Sequence, residues 1–360
     1  MTAPAAVPTR SAVFRPLTVA AVDHLCDDAV AVTFAVPDDL RETYAFRAGQ
    51  SLTLRRTVHG REERRSYSIC SAAGEPLRIG VREIPGGLFS SWLVREVVPG
   101  TTIDVAPPTG AWHGDPATGA RHLCIAAGSG ITPLLSIAAT VLTHPSAQVT
   151  LLYGNRTSRT VMFAEELGDL KNRYGPRLQV AHVLSREPQE VELFSGRLDR
   201  GRLGRLLSDV VPAEVFDHVW LCGPLALVED ARAVLAEHGV PRDRVHVELF
   251  YVDAPPPRPR RAADVPTGAT TTLTTVLDGR HTTLDVPRRS TLLDSARASR
   301  ADTPFACTGG VCGTCRALVR DGVVDLRRNY ALESAEVDAG FVLTCQTFPV
   351  SDAVTVDFDA

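Results

Sequence analysis

Short runs of alternating hydrophobic and polar residues fill the first third of the chain, and Gly and Pro residues separate them. Many short strands with turn signals between them are typical of a small β-barrel. We therefore predict a β-barrel over residues 11–115, interrupted by one helix over Leu88–Val97. Its strands are predicted at Leu17–Val22, Val30–Val36, Ser51–Arg55, Tyr67–Cys70 and Leu77–Val81.

From residue 120 to residue 252 the pattern changes, and apolar runs alternate with amphipathic helical stretches. This alternation predicts a doubly wound α/β domain, in which helices cover both faces of a parallel sheet. The predicted strands are His122–Ala126, Val149–Tyr153, Leu178–Val183, His218–Leu221 and Val245–Leu249. The predicted helices are Pro133–Leu142, Phe163–Arg173 and Leu225–His238.

A Pro- and Arg-rich segment, residues 253–267, is typical of a semi-rigid linker, with an extended loop inside one domain as the alternative. Residues 268–360 predict a third, α+β domain, so the fold class is multidomain. Asp278–Gly279 is a strong hairpin signal between two Thr-rich runs, and a helix is predicted at Leu292–Arg300. A second hairpin is predicted at Asp321–Gly322. Closing strands are predicted at Val342–Cys345 and Val354–Phe358.

Composition and charge narrow the possible functions. The chain has 360 residues, 44% of them hydrophobic and 22% charged, and its net charge of −4 argues against nucleic acid as the main partner. It contains no run of about 20 apolar residues that would span a membrane. The Ala- and Pro-rich start, Met1–Arg10, lacks the apolar core of a secretion signal. We therefore expect a short disordered lead-in and a cytoplasmic location.

The eight cysteines divide into four isolated residues and four that lie near the C-terminus. The second group has the spacing C-x4-C-x2-C followed by a distant cysteine, which is the spacing of plant-type [2Fe–2S] clusters. A structural zinc site usually has two C-x2-C pairs, where this chain has one, and disulfides are uncommon in the cytoplasm. We therefore predict that four thiolates hold a [2Fe–2S] cluster: Cys307, Cys312, Cys315 and Cys345.

Two short motifs in the barrel region are candidates for a ligand-binding site. Arg65-Ser-Tyr67-Ser68 lies at a predicted strand, where alternation places Arg65 and Tyr67 on one face. Further along, Gly86-Gly87-Leu-Phe-Ser90 opens the predicted helix, whose free N–H groups and dipole suit the pyrophosphate of a dinucleotide. The alternatives are a surface strand for the first motif and a serine-capped turn for the second.

Glycine-containing loops after two strands of the α/β region predict a nicotinamide site. In Gly128-Ser129-Gly130-Ile-Thr132-Pro133, the glycines allow close backbone approach to a phosphate, Thr132 is placed to cap the next helix, and Pro133 suits its first turn. The second loop, Cys222-Gly223-Pro224, follows the strand His218–Leu221. A buried core cysteine is the alternative interpretation of Cys222.

These motifs, in this order, resemble the ferredoxin–NADP reductase superfamily. The resemblance implies FAD in the barrel, with Tyr67 stacked on the flavin, Arg65 at the pyrophosphate and Ser68 at the reactive edge of the ring. It places the turn from Gly87 to Ser90 at the pyrophosphate too. It further implies that Cys222 and Gly223 lie beside the nicotinamide, so Ser68 and Cys222 are expected nearest the hydride path. A β-grasp ferredoxin fold is implied for residues 268–360, and FMN is the alternative to FAD.

The same resemblance bears on the choice of nicotinamide. In NADP-dependent relatives a Ser and an Arg after the corresponding strands hold the 2′-phosphate, and this chain has Arg156, Ser185 and Arg186 there. No acidic residue ends the strand Val149–Tyr153 to bind a free ribose hydroxyl. NADPH is therefore the expected donor, and NADH is the alternative.

Longer stretches between the motifs resemble the reductase subunits of phenylacetyl-CoA epoxidases. These stretches are residues 151–174, 183–187, 329–333 and 340–346. The resemblance implies electron flow from NADPH through FAD and the cluster to the di-iron oxygenase subunits of a multicomponent epoxidase in phenylacetate catabolism. The reductase of another ring-hydroxylating oxygenase, such as a steroid-ring hydroxylase, is the first alternative. A redox sensor that uses the cluster as a switch is the second.

Overall fold

The computed structural model describes residues 14–58, 60–110, 112, 119–251, 269–332 and 334–360. They form two compact units, one over Arg15–Tyr251 and one in the C-terminal part of the chain. The predicted lead-in Met1–Arg10 and the predicted linker 253–267 lie outside the described residues, so the domain limits stay a prediction. Among the helices that are described, none is long and apolar enough to cross a membrane.

Six antiparallel strands form the first part of the larger unit: β1 (Arg15–Cys26), β2 (Ala29–Ala35), β3 (Ser51–Val58), β4 (Arg61–Ser68), β5 (Arg78–Arg82) and β6 (Thr102–Val105). They pair in the order β4-β3-β6-β1-β2-β5, and a bridge between Ile69 and Ile79 joins the two ends of this order. The sheet therefore closes into the predicted barrel. Helix α1 (Leu88–Arg95) packs Phe89 and Leu93 onto the barrel core.

Five parallel strands form the second part: β7 (Arg121–Ala127), β8 (Gln148–Asn155), β9 (Leu178–Leu184), β10 (His218–Pro224) and β11 (Val245–Tyr251). Their connecting helices are α2 (Ile131–Val141), α3 (Ala164–Tyr174), α4 (Arg200–Asp209) and α5 (Leu225–Glu237). The strand order β11-β10-β7-β8-β9 confirms the doubly wound fold, and the order reverses between β7 and β10. In such sheets ligands bind at the carboxyl ends of the strands, beside this reversal.

Close contacts along β5 hold the barrel against the parallel sheet and its helices. Gly80 lies on β5, and a Cβ atom there would come within 2.7 Å of the Phe163 ring and 2.9 Å of the Thr132 side chain. A residue larger than glycine would therefore push the two parts of this unit away from each other. Two hydrogen bonds join α2 to the barrel: Ser136 Oγ donates to the Ser71 carbonyl (2.6 Å), and the Ala73 N–H donates to Thr140 Oγ1 (2.9 Å).

The C-terminal unit contains a five-stranded sheet and a two-stranded one. Its elements are β12 (Thr270–Leu277), β13 (Arg280–Pro287), α6 (Leu292–Ser299), β14 (Arg316–Asp321), β15 (Val324–Leu326), α7 (Ser334–Asp338), β16 (Phe341–Leu343), β17 (Thr347–Pro349) and β18 (Ala353–Asp357). The sheets have the orders β13-β12-β18-β14-β16 and β15-β17. The predicted hairpin is present, because β12 and β13 pair across Asp278–Gly279 with Leu277 opposite Arg280.

The second predicted hairpin, at Asp321–Gly322, is wrong. β14 pairs with β16 and β18, and β15 pairs with β17, so the strands on either side of this turn belong to different sheets. Gly322 does adopt a positive φ of 93°, and a Cβ atom there would lie 2.3 Å from the Ala353 carbonyl oxygen. The glycine therefore supports a sharp passage between sheets, and long-range pairing decides which strands meet.

Candidate functional site

Three polar side chains meet where the barrel faces the carboxyl ends of the parallel strands. Ser68 ends β4, while Cys222 on β10 lies beside Glu248 on β11 in the strand register. The Ser68 hydroxyl lies close enough to the Glu248 carboxyl group to affect its pKa. Ser68 and Cys222 are buried, and Oε2 of Glu248 is shielded from solvent with no hydrogen-bond partner in the described part of the chain.

Burial controls the protonation of this group. Burial raises the pKa of Glu248 from 4.5 to about 8, although the neighbouring Ser68 hydroxyl opposes the shift. The carboxyl group therefore carries a proton over much of the neutral range. Burial, and then the neighbouring Glu248, also raise the pKa of Cys222 well above its ordinary value. Because the thiol stays neutral, Cys222 is not poised as a thiolate nucleophile.

The glycine loop that follows β7 packs directly against this group. A 3-10 turn over Gly128–Gly130 leads into α2, and a Cβ atom on Gly130 would lie 2.1 Å from the Cys222 carbonyl oxygen. Tyr153 supports the turn from β8, because its hydroxyl donates to the Gly128 carbonyl over 3.0 Å. The loop backbone thus reaches the end of β10 with no space left for a side chain at Gly130.

The predicted role of Thr132 as a helix cap is wrong. Helix α2 begins at Ile131, and no side chain caps it, because its N-cap residue is Gly130. Thr132 lies inside the first turn, where its hydroxyl donates to the Ser129 carbonyl over 2.8 Å. Pro133 lies in the first turn of α2, as predicted. The helix therefore has no side-chain cap, although the N–H of its first residue, Ile131, donates to the Gly128 and Ser129 carbonyls of the preceding turn.

The flavin motif on β4 has the predicted alternation. Arg65 lies opposite Leu54 and Tyr67 opposite Leu52 in the pairing with β3, so both point to one face. The Tyr67 ring packs near Phe89 of α1, with ring centroids 6.1 Å apart. Arg65 is half-exposed and pairs with Glu63 over 2.9 Å. Tyr67 thus has a fixed position, whereas the Arg65 guanidinium remains open to a further anionic partner.

The turn before α1 is braced by its own serine. Ser90 Oγ accepts a hydrogen bond from the Ile84 N–H over 3.0 Å, and a Cβ atom on Gly87 would lie 2.6 Å from that oxygen. Gly86 has a positive φ of 75°. No side chain caps α1, whose N-cap residue is Gly87. Ser90 therefore shapes the turn, and the first N–H groups of α1 suit the pyrophosphate that the motif predicts.

Arg156, Ser185 and Arg186 come together at the carboxyl edge of β8 and β9. The Ser185 N–H donates to the Asn155 carbonyl over 2.9 Å, and the Arg186 N–H donates to the Arg156 carbonyl over 2.7 Å. Pro224 lies at the other side of the reversal, where it ends β10 and precedes α5. The predicted nicotinamide residues therefore line one edge of the sheet, beside the glycine loop.

The four clustered cysteines form two adjacent pairs in the C-terminal unit. Cys307 contacts Cys312, and Cys315 contacts Cys345. Over the described ranges, no three His, Cys, Asp or Glu side chains form the shell of a single metal ion. Two pairs of thiols are what a binuclear cluster requires, since each of its two irons takes two protein ligands. The residues present therefore fit a [2Fe–2S] cluster.

The loop that carries three of these cysteines is built to hold anionic sulfur. The Gly309 N–H donates to Cys307 Sγ over 3.4 Å. The pKa of Cys307 is lowered to about 5, because the Cys312 thiol and several backbone N–H groups donate to its sulfur. Gly310 and Gly313 adopt positive φ values of 83° and 68°. Cys345 lies in a 3-10 turn, Thr344–Gln346, and not on the predicted strand.

Comparison with known proteins agrees with this geometry. Models of an oxidoreductase FAD-binding domain, an oxidoreductase NAD-binding domain and a 2Fe-2S iron-sulfur cluster binding domain match residues 16–113, 124–233 and 275–350. The chain is 42% identical to one of the subunits of 1,2-phenylacetyl-CoA epoxidase from Escherichia coli K12, over 96% of this chain and 98% of that protein. The chain belongs to the oxygenase-reductase family that includes this epoxidase component.

Other members of the family show its range. The ferredoxin reductase component of 3-ketosteroid-9-alpha-monooxygenase from Rhodococcus rhodochrous is 34% identical, over 95% of this chain and 96% of that protein. The structure of phthalate dioxygenase reductase covers 96% of this chain and 98% of its own, with a TM-score of 0.60 and 23% identity, which shows the fold. The reductase is thus an NAD(P)H-dependent oxidoreductase that transfers electrons through FAD and a [2Fe–2S] cluster to an oxygenase.

Sequence reasoning missed Glu248 in this reductase. The residue sits within the run Val245-His-Val-Glu-Leu-Phe-Tyr251, whose pattern predicts only a buried strand of the parallel sheet. A carboxylate that a strand buries is costly unless the site uses it. That mismatch, near the carboxyl end of a strand in a doubly wound sheet, is the signal that would have found it.

Replacing Glu248 by Gln should remove part of the pH dependence of stability. A pKa raised to about 8 in the folded chain means that the stability tied to protonated Glu248 is present below its unfolded pKa of 4.5 and is lost as the pH rises through 8. The Gln variant lacks this loss, so its free energy of unfolding should gain about 2 kcal/mol on the wild type between pH 6 and pH 8. Urea unfolding at both pH values measures this difference, and parallel curves for the two proteins would contradict it.

Replacing Gly130 by Ala should damage the glycine loop selectively. The new Cβ would overlap the Cys222 carbonyl, so we expect a loss of about 1–3 kcal/mol in stability and a clear rise in the KM for the nicotinamide, with FAD retained. The matched control is Gly204→Ala in α4, where a Cβ meets nothing within 4 Å and stability should rise by up to about 1 kcal/mol. Equal behaviour of the two variants would refute the tight contact at Gly130.

Proposed function

We propose that the reductase passes electrons from NADPH to the di-iron oxygenase subunits of a phenylacetyl-CoA epoxidase in the cytoplasm. The 42% identity to a component of such an epoxidase, over nearly the full length of both chains, is the observation that carries the proposal. A steroid-ring hydroxylase is the second candidate partner, since a reductase component of that kind is 34% identical. All eight cysteines are free of disulfides, which supports a reducing compartment.

In this proposal the residues of the barrel bind the flavin. Bound FAD would supply the chemistry, taking a hydride from the nicotinamide and releasing single electrons to the cluster. Tyr67 and Arg65 would hold the flavin ring and pyrophosphate, together with the turn from Gly86 to Ser90. Ser68 and Cys222 would flank the position where the hydride crosses. The Glu248 carboxyl group would carry a proton beside Ser68, on the barrel side of the site.

The nicotinamide residues would act from the other side of the same site. The loop Gly128–Pro133 would carry the pyrophosphate on the N-terminus of α2, with Ser129 and Thr132 fixed by their mutual hydrogen bond. Gly223 and Pro224 would leave room for the nicotinamide beside Cys222. Arg156, Ser185 and Arg186 would bind the 2′-phosphate that distinguishes NADPH from NADH.

The purified reductase alone should form no epoxide. The sequence contains no Glu-x-x-His motif, and a di-iron oxygenase bundle carries a pair of these. Incubation with NADPH, oxygen and phenylacetyl-CoA should yield epoxide when oxygenase subunits are added and none without them. Product analysis by mass spectrometry measures both reactions. Epoxide from the reductase alone would refute this division of labour, and failure with every epoxidase oxygenase but turnover with a steroid hydroxylase would favour the second candidate.

Replacing Cys307 by Ser should separate the two halves of the electron path. The flavin site lies in a different compact unit from the cysteines, so reduction of a dye by NADPH should persist at near wild-type rate. Transfer to a cluster-dependent acceptor should fall by at least about tenfold, because one thiolate ligand is lost. Cys70→Ser, outside the cluster, is the control for a lost thiol, because a serine there can keep the bond that the thiol donates to the Arg78 carbonyl. Equal loss of both activities in a folded, flavin-loaded Cys307→Ser protein would show that the path is different.

A further inference from the structure

Two carboxylates of the flavin barrel form ion pairs with arginines that follow β8, at the carboxyl edge of the parallel sheet. Asp28 is in the turn between β1 and β2, and its Oδ2 is 2.7 Å from a terminal guanidinium nitrogen of Arg156. Its neighbour Asp27 pairs with Arg159 over 3.0 Å. These pairs join residues that are far apart in sequence, so the fold, and not local geometry, brings them together.

Asp28 is the better fixed of the two carboxylates. Its Oδ1 is 3.1 Å from Nε of Arg82, and the side chain of Arg82 is only 16% exposed. The Arg82 guanidinium also donates to the Thr160 carbonyl and lies against Gly128 of the glycine loop. Asp28 is 29% exposed, whereas Asp27 is 68% exposed and is screened by solvent. Asp28 thus bridges two arginines at the border of the nucleotide site.

Arg156 occupies a position that decides between nicotinamides. It is the first residue after β8, the strand that follows the glycine loop and α2. In a sheet of this kind the residue at the end of that strand faces the adenosine ribose, where an acid binds the free hydroxyl and an arginine accommodates a 2′-phosphate. The nearby acid, Glu187, is engaged elsewhere, because it accepts hydrogen bonds from the Ser158 N–H and hydroxyl over 2.8 and 2.9 Å.

We propose that Asp28 is a specificity-determining residue that competes with the 2′-phosphate of NADPH for Arg156. In the nucleotide-free protein the Asp28 carboxylate occupies this guanidinium, so a 2′-phosphate has to displace it. NADH carries no 2′-phosphate and gains nothing from the exchange. Asp28 therefore narrows the preference for NADPH over NADH that Arg156 provides. The inference rests on the proposed function, because it takes this edge as the adenosine site.

The test compares ligands that differ by the 2′-phosphate alone. Titration calorimetry on the FAD-loaded protein gives dissociation constants for adenosine 2′,5′-bisphosphate and for 5′-AMP. Asp28→Asn should tighten the bisphosphate by about fivefold, the scale of a partly exposed ion pair, and leave 5′-AMP unchanged. Asp28→Glu, which keeps the charge, should behave as wild type. The matched control is Asp23→Asn on β1, whose partner is Arg78 over 2.9 Å, away from this edge.

A double-variant comparison makes the assignment specific to Arg156. In an Arg156→Gln background, which should lose most of the preference for the bisphosphate, Asp28→Asn should produce no further change. Three results would overturn the inference. The ratio of the two dissociation constants could stay unchanged in Asp28→Asn, it could change equally in Asp23→Asn, or its change could persist in the Arg156→Gln background. If the Asp28→Asn protein does not retain FAD, the single variant Arg156→Gln still tests the inference. The inference is overturned if that variant prefers the bisphosphate over 5′-AMP as strongly as the wild type does.

Anaerobic reduction of the wild type keeps this result distinct from the proposed function. Bleaching of the flavin bands by NADPH or NADH supports the nicotinamide role of the site whatever Asp28 does. Reduction by neither nucleotide would contradict the proposed function and the inference together. Reduction with an unmoved ligand ratio in Asp28→Asn would contradict the inference alone.

Discussion

The close approach of strand β5 to the helices of the parallel sheet is the constraint on which the larger unit depends. At Gly80 there is room for a hydrogen atom and for nothing larger, because Phe163 and Thr132 fill the space where a Cβ would stand. This contact sets how far the barrel lies from the sheet. The contact of Ser68 with Glu248 and the ion pair between Asp28 and Arg156 both cross the same boundary, and neither forms if the two parts separate.

The C-terminal unit solves a different problem, which is to hold two thiol pairs that come from segments remote in sequence. Hydrogen bonds connect those segments beside the sulfurs. The Thr344 hydroxyl donates to the Cys315 carbonyl over 2.9 Å, and the Gln346 amide donates to the Thr308 carbonyl over 2.7 Å. Apolar neighbours Leu293, Phe305 and Leu343 enclose Cys315 and Cys345. Metal binding and folding are therefore coupled here, since the same contacts bring the four ligands together.

Local patterns predicted most of the fold, and contacts between distant residues account for what they missed. Alternation and helical periodicity located the parallel strands, α2 and most barrel strands, because these elements bury one face or both. The predicted strand Tyr67–Cys70 was misplaced, since it overlaps β4 (Arg61–Ser68) at two residues only. Helix α4 was missed, since glycines and arginines in Arg200–Asp209 obscure its periodicity. β6 is four residues long and gives too short a pattern. The false hairpin at Asp321–Gly322 has a correct turn, but its strand pairing is determined elsewhere in the chain.

Some residues of the site were predictable from local sequence, and others depend on contacts between distant residues. Cys307, Cys312 and Cys315 were predictable because metal ligation leaves a spacing in the sequence, and Gly130 because close backbone approach excludes other residues. The environment of Glu248 was not, since its raised pKa comes from burial between two parts of the fold. The partner of Arg156 was not predictable either, because it lies 128 residues away, in another sheet.

Helix α2 has a consequence for the reaction itself. Its N-terminus carries the glycine loop, while Ser136 and Thr140 along its length bond to the barrel segment at Ser71 and Ala73. The same helix therefore connects the glycine loop, where we propose that the nicotinamide binds, to the barrel. The relative position of the loop and the barrel is fixed once, when the chain folds. A nicotinamide that binds at this loop therefore loses its own translational and rotational entropy in each turnover, but the protein needs no further alignment.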